Sequence, residues 1–365
     1  MDIKIKVVKT TEEFMRLRSD WGCLIGKSNK QIFIEFDWLY TWWKYFGSEK
    51  DLFLIVAEHE NRPIMILPLV RTIRFGFRSL EFMGAEISDY QELLFAGPED
   101  MRPVVMEKVF QVISQQPGWD IFRFGRIREE SPNYLMWHQL TGRIHKDFLA
   151  DIGKHKEGAP YVKINRTWQE YLTISKPNYL PHIRKQWNRL TRLKNVKVVF
   201  QSDDIPGFLK ALRSQHISRR TKNKQKSFFE RDKIFSFLED VSLVFQEKGW
   251  LWLSALKYGD KFMATLMSFC YGNNFYHYIS GFDADFQYYS ASRLLTAAVL
   301  EESFNRQLTV FDFMLGEERY KLDWKPEIMP LHYVYIAPKT LRGRLAFQFF
   351  NRIVIGYKKQ LGKAW

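Results

Sequence analysis

The chain is poor in cysteine and lacks long apolar runs. Its 365 residues include only Cys23 and Cys270, in no C-x-x-C or Cys/His ligand spacing, so we expect no disulfide scaffold, no metal site and a reducing compartment. No run reaches about 18 apolar residues, and the first residues, MDIKIKVVKTTEEF, contain no apolar segment of the kind found in signal peptides. We therefore expect a cytoplasmic protein without a membrane span or secretory signal.

Acidic residues are scarce relative to basic ones. There are 55 Lys and Arg against 41 Asp and Glu, a net charge of +14. Such an excess attracts anions, and the candidates are a nucleotide cofactor, nucleic acid or an acidic membrane face. The cations are concentrated in residues 183–197, 216–226 and 342–363. Nucleic acid is the weaker candidate, because the cations are divided among separate predicted helices and the tail, and the sequence contains no known nucleic-acid-binding motif.

The order of predicted elements repeats along the chain. LFLIVAEHENRPIMILPLV and LWLSALKYGDKFMATLMSFCYG each predict two strands around a polar turn, and each is followed by further strand and helix patterns. This repetition predicts two similar α/β domains, residues 1–150 and 151–340. Residues 341–365 are predicted to form a basic amphipathic C-terminal helix.

The segment from Phe275 to Trp324 has the pattern of a strand, a polar loop, a helix and a second strand. Aromatic and β-branched residues fill 275–279, residues 294–300 are almost all apolar, and TVFDFML is typical of a central strand. The polar loop then lies at a helix N-terminus, where orphan N–H groups favour an anion such as a pyrophosphate. Ser292 is the predicted N-cap. The alternative is that the serines only cap a structural helix.

Several motifs in this segment resemble those of a known family. Gln287-x-x-Ser290-x-Ser292 resembles the Q/R-x-x-G-x-G/A pyrophosphate loop of GNAT acyltransferases, with serine at both small-residue positions. DFMLGEERYKLDW is similar to the DF-x-x-G-x-x-x-YK-x-x-W signature of the CelD/BioF2-like acetyltransferases, a tandem GNAT group related to Fem peptidyltransferases. With FDWLYTWWKYFG, ILPL and SDYQELL, the resemblance covers roughly residues 30–330. It implies an α/β fold of tandem GNAT-like domains, each a mixed central sheet flanked by helices.

The resemblance also implies acetyl-CoA, or another acyl-CoA, as co-substrate, without a metal. The predicted cofactor-binding residues are Gln287, Ser290, Ala291, Ser292 and Arg293. Transfer to an amine requires a polarised thioester carbonyl and a group that takes the amine proton. A backbone N–H can polarise the carbonyl. A carboxylate or a tyrosine near a strand end can take the amine proton. The predicted catalytic residues are Asp312, Glu317, Tyr320 and Lys321.

Structural roles remain open for these catalytic candidates. Asp312 lies in an apolar strand, where an unpaired carboxylate would be costly, so it needs a partner such as Lys321. Tyr320, Lys321 and Trp324 correspond by position to the family signature, and the lysine could neutralise an oxyanion or hold a phosphate.

The predicted substrate-binding residues are spread over both halves of the chain. They are Trp43, Asp89, Tyr90, His216, Arg220, Asp283 and Trp324. Asp89 and Tyr90 match the family's SDY position, and the basic run after His216 could gather an acidic substrate. The alternatives are core packing for the two tryptophans, a capped turn at Asp89 and a solvated basic loop.

These features predict an N-acyltransferase, and two other functions remain open. The family association with cellulose and exopolysaccharide synthesis suggests an amino sugar or a lipid-linked envelope precursor as acceptor. One alternative is a Fem-like aminoacyl transferase using charged tRNA, and the other is a non-catalytic subunit of a polysaccharide machine.

The C-terminal tail has apolar residues at helical spacing among cations. Leu345, Phe349, Ile353 and Tyr357 have this spacing, with Lys and Arg residues between them. The pattern fits a helix on an anionic membrane face, which would make the protein peripheral at the inner side of the membrane. A helix docked on its own domain gives the same pattern.

Overall fold

The computed structural model describes residues 2–27, 31–222, 224 and 226–354. The chain forms two compact units: unit 1 contains residues 2–156 and 330–354 of the described chain, and unit 2 contains the described residues of Glu157–Met329. The division differs from the predicted boundaries because residues 330–340, predicted in the second domain, belong to unit 1. The reason is that the strand Leu331–Pro338 pairs with strands of unit 1.

The first part of unit 1 runs from the N-terminus to residue 156. Its elements are β1 (Ile3–Val8), α1 (Thr11–Arg16), α2 (Arg18–Lys27), α3 (Phe36–Phe46), β2 (Asp51–His59), β3 (Arg62–Arg74), β4 (Phe77–Phe82), β5 (Leu94–Phe95), α4 (Arg102–Gln115), β6 (Ile121–Arg128), α5 (Pro132–Ile144) and β7 (Phe148–Lys154). Local signals set several helix starts. A capping box between Thr10 and Glu13 begins α1, and the Ser131 side chain caps α5.

Unit 2 follows, and the chain then returns to unit 1. The elements of unit 2 are β8 (Ala159–Lys163), α6 (Trp168–Ser175), α7 (Leu180–Leu190), β9 (Val196–Val199), α8 (Ile205–Lys222), α9 (Asp232–Glu247), β10 (Leu251–Tyr258), β11 (Lys261–Tyr271), β12 (Asn274–Phe282), α10 (Ala291–Asn305), β13 (Val310–Asp312), α11 (Arg319–Leu322) and β14 (Glu327–Met329). The returning elements are β15 (Leu331–Pro338), α12 (Leu341–Gln348) and a π-helical segment, Phe349–Val354.

Each unit is built on one mixed sheet. The strand order in unit 1 is β1-β2-β3-β4-β6-β15-β7, with β5 beside β3, and in unit 2 it is β14-β8-β13-β12-β11-β10-β9. The described strand pairs are antiparallel except β4 with β6 and β12 with β13, which are parallel. In both units the parallel pair is joined through a helix, α4 or α10, as a parallel connection requires. The structure therefore confirms two α/β units with mixed sheets and flanking helices.

Helices cover both faces of the unit 2 sheet. Leu266 on β11 belongs to a buried cluster with residues of α6, α7 and α10. The adjacent Thr265 points to the other face, because side chains alternate along a strand, and its hydroxyl donates to Gln215 of α8 at 2.7 Å. Helix α8 also packs against α9. The crossover helix α10 is therefore a core element, as its apolar sequence predicted.

The C-terminal elements of unit 1 partly follow the sequence prediction. Ala346 of α12 and Phe350 are buried with Ile121 of β6, so this part is docked on its own unit. The Arg342 guanidinium also pairs with the buried Asp120 carboxylate at 3.2 Å. Tyr357 and the later tail residues lie outside the described residues. Within the described ranges, no helix is long and apolar enough to cross a bilayer.

Candidate functional site

The parallel strands β12 and β13 pair along only part of their length. The ladder joins residues 274–276 to 310–312, and its last pair is Tyr276 with Asp312, although β12 continues to Phe282. After Asp312 the chain follows β8 instead: the Phe313 amide donates to the Pro160 carbonyl at 2.9 Å. A gap therefore opens between the second half of β12 and the chain after β13, at the carboxyl ends of both strands. Ligands of open α/β sheets bind at such strand ends.

His277 lies at the start of this gap and was not identified from the sequence. Its ring is buried against Phe313 and Tyr320, and its Nε2 lies 3.4 Å from Thr296 Oγ1 of α10. Burial, and then the positive charge of Lys321, lower the pKa of His277 to about 3. The imidazole is therefore neutral at pH 7. In the sequence it is one residue of an aromatic strand, and no spacing distinguishes it.

The N-terminus of α10 lies next to the gap. Ser290 is the N-cap with φ +55°, and its side chain does not cap the helix. This corrects the predicted N-cap, Ser292, which lies inside the first turn. The reason is that the Ser290 carbonyl already accepts from the Arg293 and Leu294 amides at 2.9 and 3.1 Å. The amides of Ala291 and Ser292 are first-turn donors without an intrahelical acceptor, as an anion site requires.

A basic face of α7 adjoins this helix start. His182 Nε2 lies 3.2 Å from Ser290 Oγ. Burial, and then the positive charges of Arg293, Lys185 and Arg189, lower the pKa of His182, so three cations act on this position. Segment 183–197 is basic in the sequence, but no local pattern indicates that it lies beside Ser290, which is 108 residues away from His182.

Ionic contacts connect the predicted cofactor loop with the predicted catalytic segment. Arg293 pairs with Asp323, just after α11, at 3.0 Å, and its guanidinium stacks on the Tyr179 ring. Gln287 is exposed and accepts from Lys222 at the end of α8 at 3.3 Å. The cofactor-binding residues predicted from the sequence and the α11 segment thus lie at one end of the unit 2 sheet.

The four predicted catalytic residues differ in exposure. Asp312 is buried, and its Oδ1 accepts from the Met314 amide at 2.7 Å. Lys321 is also buried; its ammonium donates to the Leu315 carbonyl at 2.8 Å and pairs with Glu318 at 2.9 Å. These contacts favour roles in positioning the turn after β13.

Glu317 and Tyr320 are more accessible than the two buried residues. The Glu317 side chain is exposed and accepts from the Gly158 amide at 2.8 Å. Tyr320 is half-buried with its ring 6.3 Å from that of His277. Tyr320 is therefore the predicted catalytic residue that the structure places beside the gap with partial exposure.

Four of the predicted substrate-binding residues belong to unit 2. Three of them contact or lie near other side chains of the unit, and the fourth borders a cavity. His216 Nδ1 lies 2.8 Å from Ser227 Oγ, and burial, then Arg219 and Arg220, lower its pKa to about 3. Trp324 is buried beside Trp168. Arg220 lies near Glu318, whose charge opposes the lowering of its pKa by burial. Asp283 caps the 3-10 turn 284–289 and borders a cavity of about 410 Å³ beside α8.

The other three predicted substrate-binding residues belong to unit 1. Trp43 is half-buried and donates to Thr11 Oγ1 at 2.9 Å. Tyr90 is buried with its ring 6.2 Å from that of Phe33. Asp89 is half-buried in the loop before β5. No group of three His, Cys, Asp or Glu side chains in the described chain could hold a metal ion.

The corresponding region of unit 1 is closed. Its parallel ladder ends at Glu81 and Arg123, and beyond it Gln91 accepts from the Gly125 amide at 2.8 Å. Helix α4 has a proline in its first turn, which removes one N–H, and Glu99 lies just before it. Glu99 pairs with Arg102, the first residue of α4, at 2.6 Å, so the cation at this helix start is neutralised. The features that would favour an anion at the start of α10 are therefore not repeated at the start of α4.

The geometry of unit 2 defines a class of fold. The sequence resemblance implied a GNAT domain with a strand, a loop, a helix and a second strand. Unit 2 has these elements in this order, and the N-terminus of the helix lies next to the gap between the two parallel strands. Residues 178–322, from α7 to α11, match the family described as the acetyltransferase (GNAT) domain. This part of the chain thus carries a GNAT-type acyltransferase fold, and the two units together form a tandem GNAT-like arrangement. The finer resemblance to CelD/BioF2-like proteins is not tested by this match.

Solved structures share this fold over nearly the whole chain. FemX aligns with a TM-score of 0.61 at 9% identity, covering 96% of this chain and 100% of FemX. The C-terminal domain of a putative lysylphosphatidylglycerol synthetase from Agrobacterium fabrum aligns with a TM-score of 0.55 at 11% identity, covering 94% and 97%. A conserved protein of unknown function from Bacteroides thetaiotaomicron gives 0.55 at 12% identity, covering 92% and 100%. No curated protein matches the sequence.

The conformation of Ser290 leads to a prediction about stability. Its φ of +55° is easy for glycine and costly for a β-branched residue. We expect Ser290→Val to lower the free energy of unfolding by about 1–2 kcal/mol, whereas Ser290→Gly stays within about 1 kcal/mol of the parent. Urea unfolding of the two variants measures this difference. Equal stability of both would mean that the left-handed conformation is not maintained in solution.

Proposed function

We propose that unit 2 binds an acyl-CoA, in the simplest case acetyl-CoA, and transfers the acyl group to an amine. The observation that carries this proposal is the start of α10. Its first-turn amides have no intrahelical acceptor, and Ser290 there contacts His182, whose pKa is lowered by burial and by the charges of Arg293, Lys185 and Arg189. A pyrophosphate is the anion of matching size and charge for such a helix start. The GNAT family match of this region supports the same donor.

The gap would hold the acyl end of the donor. Among the described residues the ladder between β12 and β13 ends at Tyr276, and a backbone amide of β12 beyond this point would polarise the thioester carbonyl. The amine nitrogen attacks the carbonyl carbon, a C–N bond forms, the C–S bond breaks, and the proton lost by the amine goes to solvent or a nearby base. Tyr320 would protonate the leaving thiolate; the support for this role is that its half-buried ring lies 6.3 Å from that of His277, at the start of the gap. With a pKa of about 3, His277 is too weak a base for the proton transfer at neutral pH.

The proposed acceptor is an amino sugar or an envelope precursor that carries an amine. This part rests on the sequence resemblance to exopolysaccharide-associated acetyltransferases. A cytoplasmic location would follow from the acyl-CoA donor.

A second candidate is aminoacyl transfer from charged tRNA. The observation in its favour is that cations continue along and beyond α7, with Arg184, Arg192 and Lys194 in addition to Lys185 and Arg189, which is more than a pyrophosphate needs. The names of two proteins with this fold, FemX and a lysylphosphatidylglycerol synthetase, are consistent with it. A non-catalytic binding subunit is the third possibility, because serines replace both loop glycines.

Calorimetry and a thiol-release assay distinguish these functions. We expect acetyl-CoA to bind with micromolar affinity, and free thiol to be released when amino sugars are supplied with it. Binding of tRNA in low salt without binding of acetyl-CoA would favour the aminoacyl transferase. Binding of acetyl-CoA without thiol release across a panel of amines would favour the non-catalytic subunit.

A further inference from the structure

Unit 1 exposes four large apolar side chains on two neighbouring elements. Ile73 and Phe75, on the β3–β4 hairpin, are 70% and 71% exposed, and Leu341 and Leu345, one turn apart on α12, are 76% and 51% exposed. Exposed apolar residues scattered singly are ordinary, whereas a cluster marks an interaction surface. We call these four residues the apolar patch.

Two contacts connect the hairpin with α12. The Arg342 guanidinium donates to the Gly76 carbonyl at 2.9 Å. The Phe349 ring, one helical turn beyond Leu345, lies 5.3 Å from the Phe75 ring. The hairpin tip and the start of α12 are therefore parts of one surface.

The backbone at the hairpin tip is unfavourable for the residue it carries. Phe75 and Gly76 have φ values of +52° and +81°, a turn in which asparagine and glycine are usual and a bulky residue is an outlier. An exposed phenylalanine there gains little from burial to offset this cost. Such an outlier supports a functional role for the ring at the hairpin tip.

The end of the chain that contributes to the apolar patch is basic in sequence. From Lys339 to the C-terminus the chain contains no Asp or Glu and seven cations, which are Lys339, Arg342, Arg344, Arg352, Lys358, Lys359 and Lys363. Among the described residues, Lys339 and Arg344 at the start of α12 have no acidic partner. A surface that combines apolar tips with cations matches the acyl boundary and the anionic headgroups of a bilayer.

We infer that the apolar patch and its cations dock unit 1 on an anionic lipid bilayer. Ile73, Phe75, Leu341 and Leu345 insert below the headgroups, while Lys339 and Arg344 contact the phosphates. A nucleic acid would use the cations but leave the aliphatic side chains in water, and a second copy of this chain would bring like charges together. The docking is independent of the acyl transfer proposed for unit 2.

Vesicle flotation with the full chain tests this inference. We expect binding to vesicles of phosphatidylcholine with phosphatidylglycerol to exceed binding to phosphatidylcholine alone by about tenfold or more, and to fall when salt is raised. The double variant Ile73→Thr, Phe75→Asn should lose at least about tenfold of this binding. Threonine keeps the strand preference and asparagine suits the positive φ, so the hairpin should remain folded.

Matched variants separate docking from a general loss of apolar surface. Leu135→Ser in unit 1 and Leu243→Ser in unit 2 remove side chains that are 59% and 54% exposed elsewhere, and both should bind vesicles as the parent does. Equal loss in these controls, or equal binding to neutral and anionic vesicles, would overturn the inference. So would dimers in lipid-free solution that the double variant dissociates, or protection of Phe75 from hydroxyl-radical labelling before vesicles are added, because another partner would then cover the patch.

Discussion

Ser292→Asp is expected to weaken acetyl-CoA binding by about a hundredfold without destabilising the protein. The residue lies in the first turn of α10, where the proposed pyrophosphate accepts from backbone amides. A carboxylate about 6 Å from a phosphate charge costs about 3 kcal/mol at an effective dielectric constant near 20, which is about a hundredfold in affinity. An acidic residue at a helix N-terminus is otherwise favourable, so the free energy of unfolding should be unchanged or slightly higher. Binding and stability thus change in different directions, which a misfolded variant would not show.

Two controls make this prediction specific. Ser292→Ala removes the hydroxyl and keeps the amides, and it should bind within about threefold of the parent. Val104→Asp places the same charge in the first turn of α4, the corresponding helix of unit 1, and should not affect binding. Calorimetric titration with acetyl-CoA measures all three. If Ser292→Asp binds as tightly as the parent, the pyrophosphate does not lie at α10; if Val104→Asp weakens binding instead, the donor belongs to unit 1.

The sequence predicted the local elements of this site well. The strand, loop, helix and strand between Phe275 and Phe313 depend on residue types within one short segment, and their aromatic, polar and apolar runs indicate each element directly. The structure confirms α10 as a buried crossover helix between two parallel strands. The N-cap is Ser290, two residues before the predicted Ser292. The two serines flank Ala291, and only the backbone conformation distinguishes them.

The parts of the site that come from distant segments could not be predicted. The basic face of α7 meets Ser290 only through tertiary packing, and a helical segment of mixed charge and apolar residues gives no indication of which loop it faces. The closed end of the unit 1 sheet is a similar case. Gln91 fills the space beside Gly125, although in sequence it is one polar residue of a loop. Strand β15 belongs to unit 1 because it pairs with β6 on one side and β7 on the other. These pairings join residues far apart in sequence, so local patterns do not predict them.

The second large effect is expected in the pH dependence of stability. Burial lowers the pKa of both His216 and His277 to about 3, with positive neighbours adding to the shift, Arg219 and Arg220 for the first and Lys321 for the second. The unfolded chain binds a proton at each histidine near pH 6.5, whereas the folded chain does not until about pH 3. Their contribution to stability is therefore complete above about pH 6.5 and is lost as the pH falls below it.

Each histidine should change the free energy of unfolding by about 1.4 kcal/mol per pH unit in this window, or about 2–3 kcal/mol between pH 6.5 and 4.5. Burial raises the pKa of Glu92 in unit 1, so this carboxyl makes the free energy of unfolding fall as the pH rises, opposite to the histidines. The effect of each histidine is therefore the difference between its variant and the parent at the same pH. His277→Gln and His216→Gln keep a polar group for Thr296 and Ser227 and remove the titration.

Urea unfolding at a series of pH values between 4.5 and 7.5 measures the effect. Each glutamine variant should be less sensitive to acid than the parent, and the double variant should be the least sensitive, because the two histidines contact different partners and their effects should add. His138→Gln, at an exposed position, serves as the control and should leave the pH dependence as it is in the parent. If the slope in His277→Gln equals that of the parent, the pKa of this imidazole is the same in the folded and unfolded chain, and the folded protein protonates it near pH 6.5. The gap beside Tyr320 would then contain a second group able to give up a proton near neutral pH, and Tyr320 would no longer be the preferred donor to the thiolate.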